Sequence, residues 1–431
     1  MTVFIFISLA VYFLVILRKP HWGIYLILTL LPAYQIRFTV WGVPATFLEL
    51  LVLILAAVTF LHLAITWVET RTAPISLRLW RQNFEQLFFL LFLFLAAGAV
   101  AAAVSPSSLK ALGIFKAYFA EGFLFWLLFI ILIDSKEKLY GCMKALGVLV
   151  CYLAGFGLYQ FFTLYRLPPA WWGLGLEPRR VVSLYTYPNA VALLITPILS
   201  LFTALLIFYK NIQAQISKKF LIVTLALGLI LLVLTFSRGG WIGYAFAVLL
   251  LTLFSQYRKY ILAALAIGLV VILLIPMSRN RLLPAFSGQD PAGNERIKLW
   301  QTTGQIIAAQ PVLGAGLMGF REWYGAMRPN NHDEILNYPH NFFLNFWVET
   351  GLFGLLSVLG ILLWTFWEGW KIYKSRPEYQ TLILAGFAAL AALLAHGMLD
   401  APFFKNDLSI LFWFLLAIVP VLKSLEKNQA I

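Results

Sequence analysis

The residue best suited to chemistry is His340, in a Tyr-Pro-His-Asn segment that ends a long polar stretch and begins an apolar helix. A histidine at such a junction lies where a membrane surface meets water, and imidazole exchanges protons near neutral pH. A positioned general base contributes about 10²- to 10⁴-fold in rate. Asn341 is suitably placed to orient the imidazole or an acceptor. The alternative is structural: His340 caps the helix and hydrogen-bonds to the preceding loop.

A second group with chemical potential consists of arginines in or beside short polar connections: Arg179, Arg180, Arg238 and Arg296. Planar guanidinium groups bind phosphate oxygens through paired hydrogen bonds and stay charged at physiological pH. Together they suit a pyrophosphate. For one arginine alone, the alternative is a snorkelling side chain or an ion pair with Glu349 or Asp400.

The elements that must position these residues are membrane helices. Hydrophobic residues make up 62% of the 431-residue chain and charged residues 12%, whereas about a quarter of residues are charged in soluble domains. Because backbone polar groups in lipid must be satisfied internally, we expect an all-α integral membrane protein with twelve or thirteen transmembrane helices. The apolar runs predict spans near 2–17, 22–37, 45–68, 84–104, 113–133, 139–163, 187–209, 219–235, 239–256, 260–277, 341–370, 379–398 and 407–424. The first two runs are short, and one span plus a re-entrant piece is the alternative that gives twelve.

The distribution of Lys and Arg predicts the orientation of these spans. Basic residues concentrate in alternate connections, near residues 18, 71–81, 136–144, 210–219, 258, 371–376 and 423–427. The positive-inside rule makes those connections cytoplasmic, together with the C-terminus. The intervening connections, which hold His340 and the four arginines, would then face outward. The formal net charge of +14 is a signal of topology and not of nucleic-acid binding.

We interpret the chain as a single polytopic domain, residues 1–431, with one large outward loop at 278–340. Within that loop, Asn294 is a candidate cap for a helix over 295–309, with Ile297, Trp300 and Ile307 on one face and Arg296 in its first turn. Such a loop is expected to pack over the bundle as a lid above a cleft.

The order of these motifs resembles the O-antigen ligase and polymerase family. The arginine loop is followed by Pro188-Asn189, then by Ser-Arg-Gly-Gly-Trp at 237–241, Asn-Glu-Arg-Ile-Lys-Leu-Trp at 294–300, Pro-His-Asn at 339–341 and a Glu-x-Gly-x-x-Gly tail. The resemblance is strongest over about 179–354. Where the family has Asn-Pro-Asn this chain has Tyr187-Pro188-Asn189, and the adjacent Arg179 and Arg180 leave open which of the two corresponds to the family's arginine.

The resemblance implies a C-type membrane glycosyltransferase of the inverting kind. Its donor would be an undecaprenyl-pyrophosphate-linked glycan on the outer face of the bacterial plasma membrane, and its acceptor a hydroxyl of lipid A core or another glycan. It also implies that Arg180 or Arg179, together with Arg238 and Arg296, holds the donor and that His340 is the base. Asn189 and Asn341 join them as candidate substrate-binding residues. No metal or other cofactor is expected.

Two alternatives stay open at this point. A polysaccharide polymerase of the same family would use a second lipid-linked glycan as acceptor. A lipid-linked sugar transporter or flippase would need charges along a path across the bilayer, for which the candidates are Glu49, His62, Lys116, Glu121 and Glu368. A separate pair, His396 and Asp400, lies four residues apart, and we expect a structural hydrogen bond between them.

Overall fold

The computed structural model describes residues 2–40, 42–70, 84–173, 177–287, 291–328 and 336–428. Within these ranges the chain is almost entirely helical, which confirms the predicted all-α integral membrane class. The helices are α1 (Thr2–Arg18), α2 (His21–Thr29), α3 (Phe47–Thr70), α4 (Glu85–Ala103), α5 (Ser108–Leu132), α6 (Lys136–Thr163), α7 (Pro188–Ile207), α8 (Lys218–Leu234), α9 (Arg238–Thr252), α10 (Arg258–Leu274), α11 (Pro276–Ser287), α12 (Pro291–Ala309), α13 (Gly319–Met327), α14 (Phe342–Ser375), α15 (Gln380–Gly397) and α16 (Asn406–Asn428). Strands β1 (Arg37–Val40) and β2 (Val43–Thr46) pair as an antiparallel hairpin.

Eight helices in the described ranges are long and apolar enough to cross a membrane: α3, α4, α5, α6, α7, α14, α15 and α16. Four shorter apolar helices, α1, α8, α9 and α10, occupy other predicted spans. Residues 22–37 form no span of their own, as the count of twelve allows, because α2 has only nine residues and leads into a 3₁₀ turn and the hairpin. Nine residues rise about 14 Å, too little to cross ~30 Å of hydrocarbon. The eight long helices and the four shorter ones thus occupy the other twelve predicted spans.

The centre of the bundle consists of α7, α15 and α16, whose apolar stretches are 83% or more buried. Helix α9 packs closely on α15 because glycines face it. A Cβ atom on Gly243 would lie 2.7 Å from the Ala392 carbonyl oxygen, and small residues allow such backbone approach in membranes. The start of α9 and the end of α15 thus meet at one end of the bundle. The orientation of that end relative to the membrane stays a prediction, and Arg71, Arg78 and Arg81, which contribute to it, lie outside the described residues.

The segment predicted to form a lid packs against the start of α14. Leu299 and Ile306 of α12 and Phe320 and Tyr324 of α13 form a small core with Val348 of α14. The α12 boundaries differ from the prediction, since the helix begins at Pro291 and encloses Asn294 instead of being capped by it. The predicted apolar face is also wrong in part: Ile297 is 52% exposed, whereas Leu299 and Ile306 are buried.

Helix α14 is interrupted at Gly351, where the backbone adopts a positive φ of 69°. The interruption admits lid backbone: Leu352 N–H donates to the Val312 carbonyl at 3.0 Å, and Ala315 N–H donates to the Val348 carbonyl at 2.6 Å. Only glycine adopts this conformation readily. The break therefore attaches the lid directly to a membrane helix.

The buried carboxylate of Glu349 makes a second attachment of the lid. It accepts hydrogen bonds from the backbone N–H groups of Met318 and Phe320. These contacts account for Glu349 without an ion pair to Arg238, which was one alternative for that arginine. The Glu-x-Gly sequence thus acts here as an anchor for the lid.

Candidate active site

His340 lies at the end of the bundle where α14 begins and α15 ends. Its Nδ1 atom is 3.1 Å from Oδ1 of Asp400, whose side chain is 4% exposed, while the imidazole itself is 28% exposed. Burial alone raises the pKa of Asp400, but the hydrogen bond with His340 and the charge of nearby His396 leave that pKa below its ordinary value. Asp400 is therefore a carboxylate at neutral pH. It favours the tautomer in which Nδ1 carries the proton and Nε2 is free to accept one.

The backbone at His340 is held in an uncommon conformation. Its φ of 49° lies in the left-handed region, which non-glycine residues adopt infrequently. The indole N–H of Trp300 in α12 donates to the Pro339 carbonyl at 2.9 Å, and the Tyr338 ring packs edge-on against the imidazole with 4.8 Å between ring centroids. The lid thus holds the turn that directs His340 towards Asp400.

Asn341 is the N-cap of α14. Its side-chain oxygen accepts from the N–H groups of Phe343 and Leu344, both at 3.0 Å, and its amide donates to the Met398 carbonyl at 3.1 Å. These bonds satisfy the first turn of the helix and tie it to the end of α15. The predicted role of Asn341 in substrate binding stays a prediction beside this structural one.

Arg180 is a half-buried arginine fixed by three contacts. Its Nε donates to the Thr235 carbonyl at 2.9 Å, and a terminal nitrogen donates to Oδ1 of Asn189 at 3.1 Å. The guanidinium lies over the Trp171 ring, 5.0 Å from its centroid. Asn189, predicted to bind substrate, therefore contacts Arg180 directly.

Several cations are concentrated around Arg180. Burial, followed by the nearby Arg281 and Arg238, lowers the pKa of Arg180 to about 9, while Glu177 acts in the opposite direction. Arg238 donates to the Arg281 carbonyl at 3.1 Å, and Arg281 pairs with the exposed Glu177 at 3.5 Å. We call Arg180, Arg238 and Arg281 the arginine cluster. Three guanidinium groups so close together are suited to an anionic ligand.

The neighbouring Arg179 has a different environment. Its Nε donates to the Trp172 carbonyl and a terminal nitrogen donates to the Phe161 carbonyl, while the guanidinium packs over the Phe161 ring. These contacts secure the loop that carries Arg180. Among the described residues, Arg281 and Arg238 act electrostatically on Arg180, whereas the contacts of Arg179 are with Trp172 and Phe161.

Arg296 of α12 approaches the site from the lid. It is half-buried and lies close enough to His396 to act on it electrostatically. His396 is packed against α9, where a Cβ atom on Gly239 would come within 2.6 Å of its ring. The expected hydrogen bond between His396 and Asp400 is wrong, because the Asp400 side chain accepts from His340 and from Ala401 N–H instead. His396 Nδ1 has no hydrogen-bond partner among the described residues.

One protein-family model matches part of the chain. Residues 223–359 match the model of the O-antigen ligase family. The chain contains an O-antigen ligase family domain. The match confirms the resemblance and covers Arg238, Arg296, His340 and Asn341, whereas Arg179, Arg180, Asn189 and Asp400 lie outside it. No curated protein matches the chain.

The match over residues 223–359 supports a function in outline. It supports O-antigen ligase- or polymerase-type activity on a lipid-linked glycan and a glycan acceptor, in a multi-pass bacterial membrane protein. Two site residues were missed from the sequence. Asp400 was assigned to His396 by its i, i+4 spacing, and Arg281 was only one of several lid cations. Both residues reach the site from segments distant in sequence, so no local sequence pattern indicates them.

Proposed function

We propose that the protein is an inverting glycosyltransferase that moves a glycan from an undecaprenyl-pyrophosphate donor to an acceptor hydroxyl on the outer face of the plasma membrane. The observation that carries this proposal is the His340–Asp400 pair at the same end of the bundle as the arginine cluster. A base and an anion site are the two parts that such a transfer requires.

In the proposed step, the acceptor oxygen attacks the anomeric carbon of the donor sugar. The bond from that carbon to the pyrophosphate oxygen breaks, and its electron pair leaves with undecaprenyl pyrophosphate. The acceptor proton passes to Nε2 of His340, whose Nδ1–H is bonded to Asp400. The carboxylate then stabilises the imidazolium that forms.

The arginine cluster would hold the pyrophosphate and stabilise the negative charge that develops on it. We assign this role to Arg180 in preference to Arg179, because Arg179 donates to the backbone carbonyls of Trp172 and of Phe161 in α6. Arg238 and Arg296 keep the donor-binding roles predicted from the sequence, and Arg281 joins them. Guanidinium groups would here take the place of a divalent cation.

The contacts of the buried charges disfavour the transporter alternative. Glu49 pairs with Lys116 at 2.8 Å, and Glu368 pairs with Lys371 at 2.7 Å and Lys423 at 2.6 Å. These local pairs neutralise two of the three candidate acids, and the third, Glu121, is buried without a hydrogen-bond partner among the described residues. One isolated acid does not line a path across the bilayer. Both acceptor classes, lipid A core and a second lipid-linked glycan, are compatible with the proposal.

Transfer from purified donor in the presence of EDTA tests the proposal. Wild type, His340→Ala and the control His62→Ala would each be offered lipid A core and a second donor molecule. We expect product from wild type and the control, and none from His340→Ala. Product on the core identifies a ligase and longer lipid-linked chains a polymerase. If folded wild type makes neither, the glycosyltransferase proposal is rejected, and proteoliposome flipping becomes the assay of the transporter.

A further inference from the structure

A second positively charged site, separate from the arginine cluster, surrounds Lys405. The Lys405 ammonium faces three tyrosine rings, at 4.6 Å from the Tyr185 centroid and 5.3 Å from the centroids of Tyr34 and Tyr187. We call Lys405 and these three tyrosines the lysine cage. It is formed by the segments just before α7 and α16 and by the 3₁₀ turn after α2.

The ammonium of the lysine cage has no anionic partner in direct contact. Among the described residues, no carboxylate forms an ion pair with Lys405. Asp407 acts on it electrostatically, but Oδ2 of Asp407 accepts from the Tyr185 hydroxyl at 2.8 Å. Burial lowers the pKa of Lys405, against the influence of Asp407 and Asp400. Aromatic faces stabilise a cation only in part, so an anion or acceptor oxygen in the cage would complete its coordination.

The lysine cage is connected to the proposed base through two rings. The hydroxyls of Tyr187 and Tyr338 lie close enough to influence each other's pKa, and Tyr338 packs against His340. Tyr187, Tyr338, Lys405 and His340 are all partly exposed, so a ligand that contacts the cage can extend to the imidazole.

The cage is electrically distinct from the arginine cluster. The charged groups that act on Lys405 are Asp407, Asp400 and Arg37, whereas those that act on Arg180 are Arg281, Glu177 and Arg238. The two sets share no member. An in-line displacement needs the attacking hydroxyl on the side of the sugar opposite to the leaving pyrophosphate, so the acceptor and the pyrophosphate need separate subsites.

We infer that the lysine cage is the acceptor subsite, and that it binds an anionic group, a carboxylate or a phosphate, on the accepting glycan. The partly exposed ring of Tyr187 offers a stacking surface for a sugar, and Lys405 supplies the charge. The inference rests on the proposed glycosyl transfer and adds a substrate property to it: the acceptor carries negative charge near its reacting hydroxyl.

The test uses the full-length protein in two measurements. The first is transfer kinetics of wild type, Lys405→Met, Lys405→Arg and the control Lys110→Met, an exposed lysine on α5, with whichever acceptor gives product. We expect Lys405→Met to raise the acceptor KM about tenfold or more, as for loss of a charged hydrogen bond, with donor KM unchanged. Lys405→Arg and Lys110→Met should stay within about threefold.

The second measurement needs no catalysis and therefore separates this inference from the proposed function. Thermal stabilisation of purified wild type would be recorded with methyl glucuronide, glucose 6-phosphate and uncharged methyl glucoside. We expect the carboxylate or the phosphate sugar to stabilise wild type but not Lys405→Met, and the better of the two identifies the anion. Equal stabilisation by all three sugars would overturn the inference. So would an unchanged acceptor KM in Lys405→Met, or a rise confined to donor KM.

Discussion

The substitution Asp400→Asn isolates the contribution of the carboxylate behind His340. The Asp400 side chain is 4% exposed and lies 3.1 Å from Nδ1, so asparagine fits the same space. Loss of a hydrogen bond to a charged group costs about 1.5–3 kcal/mol, which corresponds to roughly 10- to 150-fold in rate. An asparagine that turns its amide towards Nδ1 also favours the tautomer with the proton on Nε2. Nε2 can then no longer take the proton of the acceptor hydroxyl, and the loss in rate increases to about 10²- to 10⁴-fold.

The assay is transfer from the lipid-linked donor under saturating substrates, so that kcat is measured separately from KM. We expect kcat of Asp400→Asn to fall at least about 100-fold, with donor KM within about twofold of wild type. Asp134→Asn is the matched control, because Asp134 is 60% exposed and pairs only with Lys138 among the described residues. A kcat within about threefold of wild type would refute the proposed role of Asp400. An equal fall in the kcat of Asp134→Asn would show that the assay reports loss of folded protein instead.

Three further predictions concern the arginine loop, the helix cap and the lid. Arg180→Lys should raise donor KM about tenfold or more, because an ammonium lacks the guanidinium fork, whereas Arg179→Lys should leave it near wild type; equal effects in donor titrations would contradict our assignment. Asn341→Ala should lower the free energy of unfolding by about 1–2 kcal/mol through loss of the α14 cap, measured by thermal denaturation, and an unchanged melting temperature would argue against that role. Glu349→Ala should leave two buried N–H groups unsatisfied at about 1–3 kcal/mol and speed proteolysis within residues 310–328; unchanged cleavage would show that Glu349 does not anchor the lid.

The sequence was sufficient to predict the class of fold and the catalytic histidine candidate. Apolar runs specify membrane helices because the hydrocarbon imposes length and composition on them. Apolarity left open whether 22–37 is a span or a shorter piece, because a nine-residue helix followed by a 3₁₀ turn can be as apolar as a span.

The partners of the site residues were less accessible to sequence reasoning. The four-residue spacing of His396 and Asp400 suggested a hydrogen bond between them. Helix α15 ends at Gly397, however, so Asp400 lies beyond the helix and bonds with His340 instead. Arg281 reaches the arginine cluster because α10 and α11 are bent by 101° relative to each other. Both contacts join segments far apart in sequence, and they depend on where helices end.

The break at Gly351 determines which part of the chain behaves as a transferable module. The carbonyls of Val312 and Val348 and the amides of Ala315 and Leu352 bond across the boundary between the lid and α14. A chimera that exchanged the lid alone would have to reproduce these backbone bonds within a low-dielectric environment, where an unpaired amide is costly. A graft that carries specificity from a relative should therefore run from the lid through the first three turns of α14. Recombination points should therefore lie in the remainder of that helix and not in its first three turns.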